Sequence, residues 1–162
     1  MKINNPKDIV YTDIQVSKKI IMFLNPKGKC LDPCKGNGAF YNYLSEGSEY
    51  CEITEGIDFL QYNKKVDWVI GNPPYSIFID FLKKSFEIAD NVSYLLPINK
   101  VFQRQIIMNM INDFGGIKSI VVFGNGQRIG FPFGFSVANF HFQKHYKGET
   151  KIIMGMNQIS KI

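Results

Sequence analysis

The segment VDWVIGNPPYS, residues 66–76, carries a largely apolar run that leads directly into Asn72-Pro73-Pro74-Tyr75. Such a run is typical of a parallel strand with both faces covered. Pro73 and Pro74 stiffen the backbone and keep Asn72 out of helical conformation, so that carbonyl groups can point into the crevice beyond the strand. A simple turn is the plain alternative, but average residue usage gives this tetrapeptide by chance in roughly one chain in a thousand or fewer.

Outward from this strand, apolar strands alternate with amphipathic helices. An apolar stripe over residues 16–24 predicts a first helix, capped by Thr12 or Asp13. Strands are predicted at residues 29–32, 50–53, 66–70 and 92–96. Further helices are predicted from about Ala39, after a cap at Ser76, and over residues 99–112 with a left-handed stop at Gly115-Gly116.

The pattern changes after residue 116. Residues 117–123, 136–142 and 151–154 are strand-like, and no helical pattern fits between them. The sequence therefore predicts an α/β fold with a mostly parallel sheet and an antiparallel C-terminal edge.

Length and composition limit the possible classes of protein. The 162 residues, 45% hydrophobic and 20% charged, predict one compact domain over residues 1–162. The longest apolar run, residues 20–24, is too short to cross a bilayer, and the N-terminus lacks a signal-peptide pattern, so a cytoplasmic protein is expected. Cys30, Cys34 and Cys51 follow no zinc-ligand spacing, which favours reduced thiols and no metal site. The net charge of +5 is compatible with a polyanionic partner.

A second motif, DPCKGNGAF at residues 32–40, follows a predicted strand. In open α/β sheets, ligands bind beyond the carboxyl ends of the strands, where Gly36 and Gly38 let the backbone approach them closely. The third glycine of a dinucleotide-binding loop is not evident, and Asp32 suits a ligand that carries a positive amino group. Taken alone, the motif is explained equally well by a plain glycine-rich connection.

Two further acids lie at the end of the next predicted strand and just after it. Glu52 is placed to accept both hydroxyls of a ribose, and Asp58 to accept an adenine amino group, with Phe59 against the ring. Each acid alone is more typical of an exposed surface carboxylate. Together with the glycine loop, they predict an adenosine pocket without phosphate contacts.

The proline-flanked motif has a specific chemical use. The side-chain oxygen of Asn72 and the backbone carbonyl of Pro73 can each accept one hydrogen of a substrate NH₂ group. An amino nitrogen on a heterocycle is a poor nucleophile, and two acceptors outside the ring plane direct its lone pair at an electrophile. Tyr75 offers a flat face on which the ring can stack.

In this order, the motifs resemble those of the amino methyltransferases that move a methyl group from S-adenosylmethionine to adenine N6, in the gamma-type arrangement. The resemblance covers residues 11–144 and implies the class I, Rossmann-like fold, a seven-stranded sheet with one reversed strand. It implies that Asn72, Pro73, Pro74 and Tyr75 are catalytic. The cofactor contacts that it implies are Tyr11, Thr12, Asp32, Pro33, Gly36, Gly38, Phe40, Glu52, Asp58, Phe59 and Asn72.

The resemblance also implies a late aromatic residue that helps to hold the target base. Phe131, Phe133 and Phe135 are available, and Phe133 is favoured. Lys100, Arg104 and Arg128 are candidate phosphate contacts, although such residues are more often plain solvated charge.

Two departures from the family pattern bear on these predictions. Only five residues separate Glu52 from Asp58, which predicts that one strand-crossover helix is missing. No target-recognition domain is expected in residues 1–162, so that base contacts would come from short loops, from a partner protein or from a second copy. The predicted function is methylation of adenine N6 in DNA; the alternatives are an RNA base, a protein glutamine, or an inactive module that binds the cofactor and regulates a partner.

Overall fold

The computed structural model describes residues 10–155. Its seven strands are β1 Cys30–Asp32, β2 Glu49–Tyr50, β3 Val66–Gly71, β4 Ala89–Pro97, β5 Gly115–Asn125, β6 Ser136–Lys144 and β7 Lys151–Met154. Its four α-helices are α1 Ile14–Leu24, α2 Phe78–Ile88, α3 Ile98–Phe102 and α4 Gln105–Phe114.

The strands form one sheet in the order β2-β1-β3-β4-β6-β5-β7. Strands β1 to β4 pair in parallel, β6 runs antiparallel to both β4 and β5, and β7 pairs in parallel with β5. Of the strands in the described part of the chain, β6 alone is therefore reversed. The prediction of a mostly parallel seven-stranded sheet with antiparallel pairing near the C-terminus is confirmed, and β7 adds a parallel strand outside the antiparallel pairs.

Apolar side chains cover both faces of this sheet. Helices α2 and α4 pack on one face, where Phe81, Leu82 and Ile111 lie in the same buried cluster as strand residues such as Val69. Helix α1 packs on the other face, and Ile20 shares a cluster there with Trp68 and other strand residues. Because β3 is covered on both sides, its continuous apolar pattern is explained.

Several predicted element boundaries are wrong. The helix predicted from about Ala39 does not form, and the chain there makes turns and a short 3₁₀ helix, Tyr41–Tyr43. The residues that follow are rich in serine and glycine and have no apolar stripe to bury. Strand β2 ends at Tyr50, since Glu52 caps the 3₁₀ helix Ile53–Glu55. Helix α2 begins at Phe78, after the 3₁₀ helix Tyr75–Ile77, so Ser76 is not its cap.

The predicted helix over residues 99–112 is two helices, because Arg104 between α3 and α4 is extended. Gly115 is also extended, with φ of 164°, and passes straight into β5 instead of forming a left-handed stop. A Cβ atom at Gly115 would lie 2.2 Å from the carbonyl oxygen of Gln143. Glycine is needed here for the close approach of β6, a tertiary requirement that the local sequence does not reveal.

Between Glu52 and Asp58 the chain forms only the 3₁₀ helix Ile53–Glu55, and β2 remains the edge of the sheet. The missing crossover, predicted from the five-residue spacing, is thus confirmed.

Cys30 and Cys51 are buried, Cys34 is half-buried, and all three are free thiols. Within residues 10–155, no cluster of three or more histidine, cysteine, aspartate or glutamate side chains is arranged to bind a metal ion. None of the helices described above is long and apolar enough to span a membrane.

Candidate active site

The glycine loop and the proline motif meet at the carboxyl ends of β1 and β3. These strands pair directly, and Asp32 and Gly71 are their last residues. A Cβ atom at Gly71 would lie 3.0 Å from the Pro33 ring and 3.1 Å from the Asp32 carboxylate. Gly71 therefore allows the two motifs to approach each other, a requirement that the sequence analysis did not identify.

Asp32 is almost fully buried at this junction. Its Oδ1 accepts a hydrogen bond from the backbone N–H of Cys34 at 3.1 Å, and its Oδ2 accepts one from the N–H of Tyr41 at 3.1 Å. Burial raises the pKa of the Asp32 carboxyl to about 7, against the opposing effect of these two hydrogen bonds. In this structure the carboxylate spans the loop and fixes its shape.

Glu52 is half-buried beside the same loop. Its Oε2 accepts a hydrogen bond from the N–H of Gly36 at 2.8 Å, and its Oε1 accepts from the N–H and the hydroxyl of Thr54 at 3.1 and 2.8 Å. Burial by itself would raise the pKa of Glu52, but the hydrogen bonds outweigh it, so that the pKa lies below its ordinary value. An ionised carboxylate is thus present where the sequence predicts a ribose contact.

The two loop glycines have backbone conformations that favour glycine. Gly36 has φ of 53° and Gly38 has φ of 83°. A Cβ atom at Gly36 would meet the ring of Tyr11 at 3.4 Å. The N-terminal segment therefore lies against the glycine loop.

Two predicted cofactor residues have side chains in the core. The Phe59 ring is 2% exposed and packs against Phe81 with ring centroids 4.8 Å apart, so it is part of the core, and its predicted contact with an adenine ring stays a prediction. Phe40 is likewise buried, in the apolar cluster that contains α1, and supports the loop from beneath. An aromatic residue beside a ligand motif can equally be a core residue, and local sequence does not separate the two cases. Asp58 is half-buried and caps the 3₁₀ helix Phe59–Gln61 by accepting from the N–H of Leu60 at 2.9 Å.

The side chain of Asn72 is held in one orientation by the N-terminal segment. Its Nδ2 donates to the carbonyl of Val10 at 2.9 Å and to Oγ1 of the buried Thr12 at 3.1 Å. Thr12 is thus engaged with Asn72, and Asp13 is the cap of α1. Because both acceptors face the amide nitrogen, the amide oxygen must point the other way.

That amide oxygen faces Tyr75. The Tyr75 hydroxyl donates to Oδ1 of Asn72 at 2.8 Å, and the Cys34 thiol donates to the backbone carbonyl of Asn72 at 3.1 Å. Asn72 is half-buried at the end of β3 and is not turned into the core. The arrangement presents an oriented acceptor at the rim of the sheet, beside the glycine loop. The contact of Cys34 is not visible from sequence spacing, since Cys34 and Asn72 are 38 residues apart along the chain.

The late phenylalanine-rich connector reaches the same rim. The Phe133 ring lies edge-on to Tyr75, with centroids 6.1 Å apart. Phe131 is buried, Phe133 is half-buried and Phe135 is 60% exposed. Of the three candidates, Phe133 is thus the one beside Tyr75.

The predicted cations lie on two sides of this rim. The Lys100 ammonium donates to the backbone carbonyl of Tyr75 at 3.4 Å. Lys100 and Arg104 also line a cavity of about 300 Å³ beside Tyr75, together with Asp80 and Gln103. Arg128 is exposed on the 3₁₀ helix Gly126–Ile129, at the start of the phenylalanine-rich connector. These positions suit contacts with an extended polyanion around the site.

Comparison with solved structures assigns the fold. A candidate RNA methyltransferase from Pyrococcus horikoshii has a TM-score of 0.64 and 17% identity, over 89% of this chain and 92% of that one. A candidate class I S-adenosylmethionine-dependent methyltransferase from Listeria monocytogenes has a TM-score of 0.65 and 12% identity, over 94% of this chain and 67% of that one. The methyltransferase subunit of a type I restriction-modification system from Streptococcus thermophilus has a TM-score of 0.66 and 17% identity, over 93% of this chain and 51% of that one.

No family model matches the sequence, and no curated protein matches it either. The similarity to these structures, at low identity, shows that the chain has the class I methyltransferase fold, as predicted.

Proposed function

We propose that this protein transfers a methyl group from S-adenosylmethionine to the exocyclic N6 of adenine in DNA. The observation that supports the proposal best is the orientation of the Asn72 amide, whose oxygen points away from the N-terminal segment at the end of β3. This is the acceptor that an aromatic amino group requires. One of the structural neighbours is the methyltransferase subunit of a type I restriction-modification system, which is consistent with a DNA substrate.

The residues around the glycine loop fit the proposed cofactor. Gly36 and Gly38 add no side chains of their own to the loop, and the lowered pKa of Glu52 keeps a carboxylate ionised for two ribose hydroxyls. Asp32 and Pro33 fix the loop for the methionine end, Tyr11 and Thr12 cover it, and Asp58 lies after β2 for the adenine. When bound, S-adenosylmethionine supplies an electrophilic methyl group on its sulfonium.

Asn72 and its neighbours would then hold the amino group for attack. Oδ1 of Asn72 and the carbonyl of Pro73 accept its two hydrogens, and the substrate NH₂ takes over the hydrogen bond that the Tyr75 hydroxyl donates in this structure. Pro74 keeps the backbone rigid, while Tyr75 and Phe133 contact the faces and edge of the base. The surplus proton leaves to water after transfer, so no general base is assigned.

Charge favours nucleic acid over a protein glutamine as the substrate. The net charge is +5, and Lys100, Arg104 and Arg128 lie around the site, where they would contact phosphates and raise affinity without selecting a sequence. A paired adenine would have to leave the base stack to reach Asn72. Specificity would then depend on short loops, on a partner protein or on a second copy of the chain.

The test supplies the cofactor, with a radiolabelled methyl group, together with duplex DNA, single-stranded DNA, RNA and protein, and identifies the labelled nucleoside or residue. We expect N6-methyladenine in DNA. Asn72→Ala should abolish transfer while cofactor affinity is largely kept, and Asn63→Ala, at an exposed position, serves as the matched control.

Three outcomes would overturn the proposal. Label on guanine, on glutamine or only on RNA would assign another acceptor. Cofactor binding without transfer to any substrate would indicate an inactive binding module. Full activity of the Asn72→Ala protein would remove the proposed catalytic role of the amide.

A further inference from the structure

The aromatic surface of the site continues past the position of the target base. Tyr75, Phe133 and Phe135, here called the aromatic row, follow one another with centroid distances of 6.1 Å and 5.6 Å. Exposure increases along the row, from half-buried Tyr75 and Phe133 to Phe135, which is 60% exposed. One target base needs the first two rings only, so the third has no role in holding that base.

The connector that carries Phe133 and Phe135 is fixed by its own contacts. The N–H of Gly126 donates to the carbonyl of Phe135 at 2.9 Å, and the N–H of Phe131 donates to the carbonyl of Gly126 at 3.0 Å. The Phe131 ring is buried and anchors the loop in the core. The exposed ring is therefore presented by a braced loop, which lowers the conformational entropy that a ligand must remove on binding.

Single exposed apolar residues are common on protein surfaces and need no explanation. Phe135 differs because it continues the aromatic row from the site and because its carbonyl is bonded to Gly126, the first residue of the 3₁₀ helix that carries the exposed cation Arg128. An exposed aromatic face on a loop that also presents a cation is a combination that binds unpaired nucleotides, since every base has a π-face that can stack. A base in a duplex is paired and stacked on its neighbours, so it cannot stack on Phe135.

We propose that Phe135 stacks on the unpaired base next to the target adenine, and that the substrate is therefore single-stranded DNA. The proposal rests on the function proposed above and specifies its substrate. A single-stranded substrate also avoids the free-energy cost of extracting the target base from a duplex, since an unpaired adenine reaches Asn72 without breaking base pairs.

The experiment uses a short single-stranded DNA with one central adenine, in two forms: with normal bases beside the adenine and with abasic sites there. Affinity is measured by fluorescence anisotropy at one fixed salt concentration, and methyl transfer to the adenine is measured on the same DNA. We expect Phe135→Ala to weaken binding of the first form about 5- to 100-fold, the range for one base stacked on an aromatic ring, and to leave the second unchanged. Comparing the four combinations isolates the contact between Phe135 and the neighbouring base.

Two control variants separate stacking from a general effect. Phe135→Tyr keeps the ring face and should bind both forms as the parent protein does. Ile152→Ala removes an apolar side chain of similar exposure, 56%, on β7, and should leave both affinities unchanged.

If Phe135→Ala lost affinity equally for the DNA with normal bases and the DNA with abasic sites, or lost none for either, the stacking role of Phe135 would be overturned. Faster methylation of the adenine in a duplex than in the single strand, or methylation of the RNA version alone, would overturn the assigned substrate. No methyl transfer to any nucleic acid would instead refute the proposed function itself, so the two failures are distinguishable.

Discussion

Replacing Thr12 with valine should lower the turnover rate by releasing the orientation of the Asn72 amide. Valine keeps the shape of this buried side chain but removes the oxygen that accepts from Nδ2 of Asn72 at 3.1 Å. In the parent protein, the Val10 carbonyl, which can only accept, sets which end of the amide faces the N-terminal segment, and the Thr12 oxygen adds a second hydrogen bond that holds the NH₂ group in place. Each such bond contributes about 0.5–1.5 kcal/mol, so Thr12→Val removes about half of the free energy that anchors the amide.

This change in free energy sets the expected size of the effect. About 0.5–1.5 kcal/mol of lost orientation corresponds to a decrease in kcat of about two- to tenfold. The rate is measured at saturating cofactor and DNA, and the Kd of the cofactor is measured separately by calorimetry. Because Thr12 acts through Asn72, kcat should change more than the cofactor Kd.

Thr12→Ser is the matched control, since it keeps the hydroxyl and should retain most of the parent rate. An unchanged kcat in Thr12→Val would refute the orienting role of Thr12. An equal loss of activity in Thr12→Ser would do so as well, because the effect would then depend on the methyl group and not on the hydrogen bond.

Gly71→Ala should destabilise the protein by about 1–3 kcal/mol and weaken cofactor binding, because its Cβ would press on the Pro33 ring and the Asp32 carboxylate; denaturant unfolding and calorimetry measure both. Burial raises the pKa of Asp32 in the folded protein to about 7, well above its ordinary value. The protonated carboxyl therefore stabilises the folded state at low pH, and this stabilisation is lost as the pH rises from about 4 through 7. Without cofactor, the stability difference between the parent and Asp32→Asn should fall over that range, by at most about 1.4 kcal/mol per pH unit; a difference independent of pH would contradict the assignment. Burial lowers the pKa of His141 to about 4, so neutral His141 contributes stability above pH 6.5 that is lost as the pH falls through 4. His141→Gln should reduce the decrease in the free energy of unfolding between pH 7 and pH 4, measured from denaturant unfolding curves. If the decrease is unchanged, it is caused by other groups.

Local patterns in the sequence predict the strands well, but they wrongly predict a helix after the glycine loop. The run at residues 66–70 is confirmed as β3, a largely apolar strand that is covered on both faces and exposes only Asp67 near its start. The glycines at 36 and 38 suit a loop, and Ser45, Gly47 and Ser48 interrupt the apolar stripe that a helix would need, a feature that the prediction of a helix from Ala39 did not weigh. Helix formation depends on an apolar face to bury, and the surface available there is fixed only by the tertiary fold.

The candidate site could be predicted in its parts but not in its connections. Phe133 lies beside Tyr75 in the structure, and its contact with a target base stays a prediction from the family resemblance. The contacts of Thr12 and Cys34 with Asn72 join residues far apart in the chain, and no spacing rule predicts them. The core position of Phe59 was missed for a related reason, since a sequence does not show which side of a loop faces the core.

The first helix explains how a sheet without a helix after its glycine loop can still hold that loop in place. Ile20 and Val16 of α1 pack in the cluster that contains Cys30 and Trp68 of β1 and β3, and the buried Ser17 hydroxyl donates to the carbonyl of Ala39 in the loop. The residues just before α1 then cross the end of β3 and orient the Asn72 amide. One N-terminal element therefore supports the glycine loop, covers it and aligns the acceptor, so a change that loosens α1 from the sheet should impair cofactor binding and methyl transfer together.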